Sequence, residues 1–457
     1  MVGGWCRVLE YVSESAVTMR FSTHFWSKPF AFWVKLVKTS PLTCLLVGLS
    51  IFFSVSICPG TGNASGSEQN LELAQPAARA AGYLAESVTS SGRFVYRRDR
   101  FSGVDKRQRY NFLRHAGAVL AMAEFQSCQQ DQNGLSALRR AARYLVDCCI
   151  EPVPDQTGML ALWSIPELTA SSRPVRQAKL GGAGLALAAL IQVESVLPGT
   201  TEPGVLRQLG EFILFMQKSD GSFTAKFIPS QGGRDDSWVS LYYPGEAALG
   251  LIMLYEHDGD PRWLIAAMDG LRYLARIREG KDQIPADHWA LMASARLFRQ
   301  IPASLRLASP ARVSWNKPQG GSIKRALTAH VATVVEKILA EQIKGDEWGC
   351  LSGGFNPEGR VAPTATRLEG LLAAWHVLPQ GALRQRVRRA VDDGIDFLLA
   401  AQVDAGPYRG AFTRYHPGCI SPEPRADEIR IDYVQHALAA MMAYEALFVP
   451  TSTAAPR

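Results

Sequence analysis

The sequence predicts an all-helical fold, a ring of six helical hairpins closed on itself. Three observations carry this. Two kinds of helical segment alternate along most of the chain, each kind occurs six times, and short glycine- and aromatic-rich stretches separate them. The first kind is amphipathic, with charges on one face: 71–88, 138–149, 205–217, 263–278, 326–342 and 384–402. The second is rich in Ala, Gly and Leu nearly all round and begins near Tyr110, Lys179, Tyr243, Asp287, Thr366 and Ile431. A helix apolar on every side is buried on most sides. Outer helices covering inner ones, six times over, form a repeat architecture. Closure removes the ends that an open array must cap.

Ahead of the repeats, residues 1–41 form a basic region carrying Arg7, Arg20, Lys28, Lys35 and Lys38. Residues 42–57 (LTCLLVGLSIFFSVSI) hold no charge. They fall short of the roughly 20 residues of a full membrane span. Basic residues before the stretch and none just after it fit a signal peptide or membrane anchor over 42–58. A periplasmic or extracellular domain follows, with the chain's membrane contact made through this segment. Residues 59–70 (PGTGNASGSEQN) read as a flexible linker, 71–448 as the toroid and 449–457 as a disordered tail.

The 457 residues are 47% hydrophobic and 20% charged, as in an ordinary globular protein. The net charge of +7 is moderate, and no dense Lys/Arg tract with interleaved aromatics points to nucleic acid. Among eight cysteines there is no CxxC pair, so a cysteine zinc site is not expected. Cys128 can pair with Cys148 or Cys149 across neighbouring helices, or all three are plain core residues.

The stretches SGRFVY (91–96), QKSDGSF (217–223), GCLSGGF (349–355) and GPYRGAF (406–412) read as β-turns or short hairpins at one mouth of the ring. With this repeat count and segment character, the chain over 71–448 resembles the (α/α)6 toroid of the six-hairpin glycosidases. The resemblance is to the fold and implies a glycan-active enzyme. The Gln-x-x-Asp-Gly-x-Phe spacing is also similar to elements of terpene cyclases and prenyltransferase β subunits. No DxDD-like acid run accompanies it.

Aligning the inner segments on their Ala/Leu runs places His115, Gly182, Glu246, His288, Glu369 and His436 at one equivalent position. Five of the six are ionisable, and ionisable groups are rarely buried against apolar helix bodies without partners. Each taken singly has a structural explanation, for example a first-turn carboxylate favouring the helix dipole. Together they predict a functional funnel.

The leading expectation is a glycoside hydrolase using Glu246 and Glu369. Helix spacings bring their carboxyls to about 6–9 Å, suited to an inverting pair. Asp287 and Asp432 are competing catalytic carboxylates. A second expectation comes from a similarity to the N-acylglucosamine 2-epimerase group, whose proton-transferring histidines lie on the eighth and twelfth helices. Counting from residue 71, this similarity implies His288 and His436. Small free sugars are substrates more expected in the cytoplasm than outside it.

A zinc site of His115, His288 and His436 is the third arrangement. These helices are not adjacent and no His-x-x-x-His pair supports it, so neither metal nor cofactor is expected. A non-catalytic glycan-binding scaffold is the alternative from another class. Substrate contacts are expected from Tyr110, Arg114, His115, Tyr243, Trp289, Arg367, Arg430 and Tyr433. Tyr96, Trp238, Tyr242 and Trp348 offer further aromatic faces. The arginines, with Arg109, Arg176, Arg425 and Lys179, suit an anionic glycan. Alternatively they pair with acids such as Asp427 and Glu428.

Overall fold

The computed structural model describes residues 68–104, 109–164, 175–300, 323–421 and 423–449. The basic region, the hydrophobic segment and nearly all of the tail lie outside the described residues. Among the described residues no helix is long and apolar enough to cross a membrane.

The six Ala/Gly/Leu-rich runs become the inner helices α2 (Phe112–Cys128), α4 (Leu180–Val196), α6 (Tyr243–Asp258), α8 (His288–Gln300), α10 (Val361–Ala374) and α12 (Ile431–Phe448). The amphipathic runs become the outer helices α1 (Glu68–Glu86), α3 (Gln132–Cys148), α5 (Pro203–Met216), α7 (Pro261–Arg278), α9 (Ile323–Ala340) and α11 (Ala382–Ala401). Helix α1 starts at Glu68, inside the stretch read as linker.

Each inner helix packs on the next, from α2 through α4, α6, α8 and α10 to α12, and α12 packs back on α2. The ring is closed. Small residues make this possible where backbones nearly touch. A Cβ on Gly184 would lie 2.5 Å from the carbonyl oxygen of Glu246, and one on Gly245 would lie 2.6 Å from Ala290 N. No larger side chain fits either spacing.

Short antiparallel sheets sit where outer helices hand over to inner ones. Strands β2 (Ile150–Pro152) and β3 (Leu160–Leu162) form a hairpin. β4 (Ala178–Lys179), β5 (Lys226–Ile228) and β6 (Gly233–Asp235) form a three-stranded sheet. β1 (Arg97–Asp99) pairs with β7 (Glu428–Arg430), Arg97 opposite Arg430, so the first repeat is sewn to the last.

The glycine-rich loops repeat one stitch. Gly221 has φ +88°, and its backbone rests on the carbonyl of Asp269 in α7, where a Cβ would come within 2.6 Å of the oxygen. Glycine suits both the left-handed φ and the close approach. Gly92, Gly353 and Gly410 do the same on Arg140, Asp393 and Arg79 of α3, α11 and α1. In three repeats a glutamine adds a second tie. Gln217, Gln342 and Gln402 donate to the carbonyls of Ala266, Ala390 and Pro76, at 2.8, 2.8 and 2.9 Å. The loop phenylalanines Phe94, Phe223, Phe355 and Phe412 are buried beside these ties.

A disulfide joins Cys350 in the short 3-10 helix Asp346–Leu351 to Cys419. Of the two alternatives for Cys128, Cys148 and Cys149, the disulfide does not form, and none of the three is disulfide-bonded.

Candidate active site

Three of the aligned ionisable residues converge. His288 opens α8, Glu369 lies on α10 and His436 on α12, consecutive members of the inner ring. His436 Nδ1 is 2.7 Å from Glu369 Oε2, and His288 Nε2 is 3.9 Å from the same oxygen. The two imidazole rings stand edge to face, centroids 5.4 Å apart. Gly370 makes the approach possible, because a Cβ there would press on His288 at 3.1 Å.

The environment separates the two histidines. Burial, then repulsion from His436 and Arg367, holds His288 well below the usual imidazole range. It stays neutral, and its Nε2 has no hydrogen-bond partner among the described residues. Burial also works against charge on His436, but the negative charge and hydrogen bond of Glu369 outweigh it and raise its pKa. Burial raises Glu369 in turn, against the pull of His436. The Glu369–His436 pair therefore holds a proton more firmly than its members would in water. One neutral imidazole beside one proton-bearing pair is an arrangement that can support acid–base chemistry.

Trp289 lies against both rings, 4.6 Å from His288 and 6.0 Å from His436, and Tyr242 stands 6.1 Å from His288. Trp238 and Tyr243 meet at 5.4 Å, half-buried at the start of α6, with Lys226 4.5 Å over the indole. The donor atoms of His288, Glu369 and His436 all lie within 4.8 Å of one another, a two-histidine, one-carboxylate set able to hold a divalent metal.

The other expected residues take different places. His115 is fully buried; its Nδ1 meets the Tyr110 hydroxyl at 2.7 Å and its Nε2 the carbonyl of Ala141 on α3 at 2.9 Å. It joins two helices outside the cluster, and Tyr110 is tied up with it. Glu246 is buried on α6, where Gly181 of α4 leaves room for its carboxylate and for the Tyr243 ring.

Asp287 is fully buried, 2.7 Å from Arg278, and accepts from Ala290 N at 3.0 Å, which caps α8. Its two oxygens are thereby taken up, one by the guanidinium and one by the helix end. Asp432 is gripped by Arg430 through two bonds of 2.6 and 2.9 Å and by Arg114 at 3.0 Å. Against burial, those two guanidiniums hold it far below the ordinary carboxylate range. Asp432 thus pairs with both Arg114 and Arg430, and one positive charge is left in excess.

Three further rim arginines are engaged too. Arg367 bonds Glu341 through two nitrogens at 3.0 Å, Arg425 chelates Glu428, and Arg176 meets Glu151 at 2.6 Å. Tyr433 donates to Glu428 at 3.2 Å. The partners Glu341, Arg278 and Glu151 were not singled out in the sequence. Their segments carry charges at solvent-facing spacing, and nothing local marks which of them pair across the fold. Trp348 stands 54% exposed on the loop bearing the disulfide. A cavity of about 620 Å³ beside Lys324, Thr328 and Leu378 lies on the flank of the ring and includes none of the clustered residues.

No protein-family model and no curated protein sequence matches the chain. Solved structures do. A sugar epimerase from a ruminal bacterium superposes with TM-score 0.60 at 10% identity, over 82% of this chain and 99% of that one. A cellobiose 2-epimerase from Bacillus thermoamylovorans gives 0.59 at 12% identity, over 82% and 98%. An alpha-1,6-mannanase from a Salegentibacter species gives 0.50 at 12% identity, over 81% and 98%. The chain has the (α/α)6 toroid fold shared by these enzymes.

Proposed function

We propose that this protein is a sugar-active enzyme of the epimerase or isomerase class, with His288 as general base and His436, held by Glu369, as general acid. The single observation that carries the reading is the pair of edge-to-face imidazoles beside one carboxylate, which bonds His436 and leaves His288 Nε2 without a hydrogen bond 3.9 Å away. Removing a proton beside a sugar carbonyl and returning one at the other face needs a neutral base and a charged acid within a few ångströms. The resemblance to a cellobiose 2-epimerase and a D-mannose isomerase supports a reducing sugar as substrate. Trp289 and Tyr242, and further out Trp238 and Tyr243, supply ring faces for stacking.

A hydrolase built on Glu246 and Glu369 is the competing reading. It is favoured less, because Glu369, one half of that pair, already bonds His436 through Oε2. Turnover of a panel of reducing hexoses and β-linked disaccharides, followed by NMR, separates the two. His288→Ala and His436→Ala should each lose about 10²–10⁴-fold in kcat, while Glu246→Gln keeps most of it. A dead Glu246→Gln with active histidine variants would return the hydrolase.

We also propose that the enzyme works outside the cytoplasm. The uncharged 42–57 segment and the Cys350–Cys419 disulfide support this, since structural disulfides persist in oxidising compartments. A reporter fused after Gln69 should be active only on the far side of the membrane, and cytoplasmic activity would refute export.

A further inference from the structure

Among the described residues one group of three His, Cys, Asp or Glu side chains brings its donor atoms within 4.8 Å of one another, and it is His288, Glu369 and His436. Its donors come from three successive inner helices, α8, α10 and α12. Around Glu369 Oε2 stand His436 Nδ1 at 2.7 Å and His288 Nε2 at 3.9 Å. Zinc binds such donors at about 2.0–2.2 Å, which in a tetrahedral set puts them about 3.3–3.5 Å apart. The two observed spacings bracket that value, so side-chain shifts of about 1 Å close the set on an ion.

A second, independent feature points to a ligand. His288 is 6% exposed, and its Nε2, the atom nearest the carboxylate, has no hydrogen-bond partner among the described residues. A buried ring nitrogen left unsatisfied costs stability, and a metal bond at that nitrogen removes the cost. Two imidazoles and one carboxylate, with no thiolate, suit zinc, cobalt, nickel or copper, whereas magnesium and calcium prefer oxygen donors. Glu369 is buried as well, while His436 keeps partial solvent contact. That leaves a way in for an ion and room for a water on its open side.

We propose that His288 Nε2, His436 Nδ1 and the Glu369 carboxylate form a binding site for one divalent transition-metal ion, zinc above all, and that the ion switches the acid–base machinery off. The binding stands on the geometry alone; the switching rests on the reading above. An ion coordinated at Nε2 takes the lone pair with which His288 draws a proton from carbon. At Nδ1 it takes the place of the proton that His436 gives, and that proton leaves to water. The metal-free form is the active one. The ion is an inhibitor that also ties α8, α10 and α12 together.

The test uses the full chain, stripped with EDTA and titrated with cobalt(II) as a coloured stand-in for zinc. One equivalent should bind, with the visible bands of a four- or five-coordinate nitrogen and oxygen site and without the near-ultraviolet band of a thiolate ligand. Zinc should displace it and raise the melting temperature. His288→Ala and His436→Ala should each weaken cobalt binding by about 100-fold or more and Glu369→Gln by about tenfold or more, so that one folded variant is enough. Absent bands in the folded wild type, a thiolate band, or unchanged binding in the folded variants overturns the site. One equivalent of zinc should stop sugar turnover and EDTA restore it; turnover that continues with zinc bound overturns the switch. Turnover seen only with metal would sink the acid–base reading and leave the site standing, whereas turnover without any cobalt bands would do the reverse.

Discussion

At the residue scale, one carboxylate organises the site. Glu369 fixes the orientation of His436 and raises its pKa, while the same burial leaves His288 neutral. Replacing Glu369 with Gln removes the charge that holds the proton, so the pKa of His436 falls. In the proposed mechanism His436 acts protonated, so kcat should decline as pH rises through that pKa, and in Glu369→Gln the decline should move to lower pH. A pH–rate profile reads this directly, and an unmoved limb would show that Glu369 does not tune His436.

His115 obeys opposite physics. Burial depresses it to about 4 from 6.5, and its bonds to Tyr110 and Ala141 hold it in place. A depressed pKa gives stability that is present above about pH 6.5 and is lost as pH falls towards 4, up to roughly 3 kcal/mol. Thermal melts across that window should show a shallower slope in His115→Gln. His115→Ala should cost about 2–4 kcal/mol at neutral pH and leave the turnover of folded enzyme intact. The alignment that singled out His288, Glu369 and His436 also singled out His115. Sequence gives the level of a residue along a helix; it does not separate a side chain facing the lumen from one facing α3. That choice is made by rotation within the bundle, fixed only when helices pack.

At the element scale, the alternation of amphipathic and small-residue runs made the twelve described helices legible, since each pattern reports burial on its own. The loops were legible only as turns. Their purpose needs the next repeat: Gly221 meets Asp269, and Gln342 reaches Ala390, across about fifty residues of chain. Gly221→Ala combines a strained φ of +88° with a Cβ at 2.6 Å from a carbonyl, so it should destabilise by about 1–3 kcal/mol in chemical denaturation. Wild-type stability in that variant would mean the loop is free to move away from α7. The rim arginines show the same limit. Arg114, Arg367 and Arg430 read as anion receptors because their carboxylates, Asp432 and Glu341, sit on other segments or were assigned other roles.

At the scale of the whole molecule, closure makes the toroid one cooperative unit. The β1–β7 pairing and the bonds from Gln402 to Pro76 and from Arg79 to Gln402 join first and last repeats. The disulfide spans 69 residues, and reducing it should remove up to about 4 kcal/mol, read as a lower denaturation midpoint with thiol present. Closure also places three inner helices so that His288, Glu369 and His436 cluster around one carboxylate oxygen, and the proposed reaction class rests on that cluster. The decisive measurement is sugar turnover in deuterium oxide, followed at the carbon beside the carbonyl. Wild type should give epimer or isomer carrying deuterium at that carbon, and His288→Ala or His436→Ala should lose it by about 10²–10⁴-fold. New reducing ends from a polysaccharide, with no deuterium at carbon and with both histidine variants active, would contradict it.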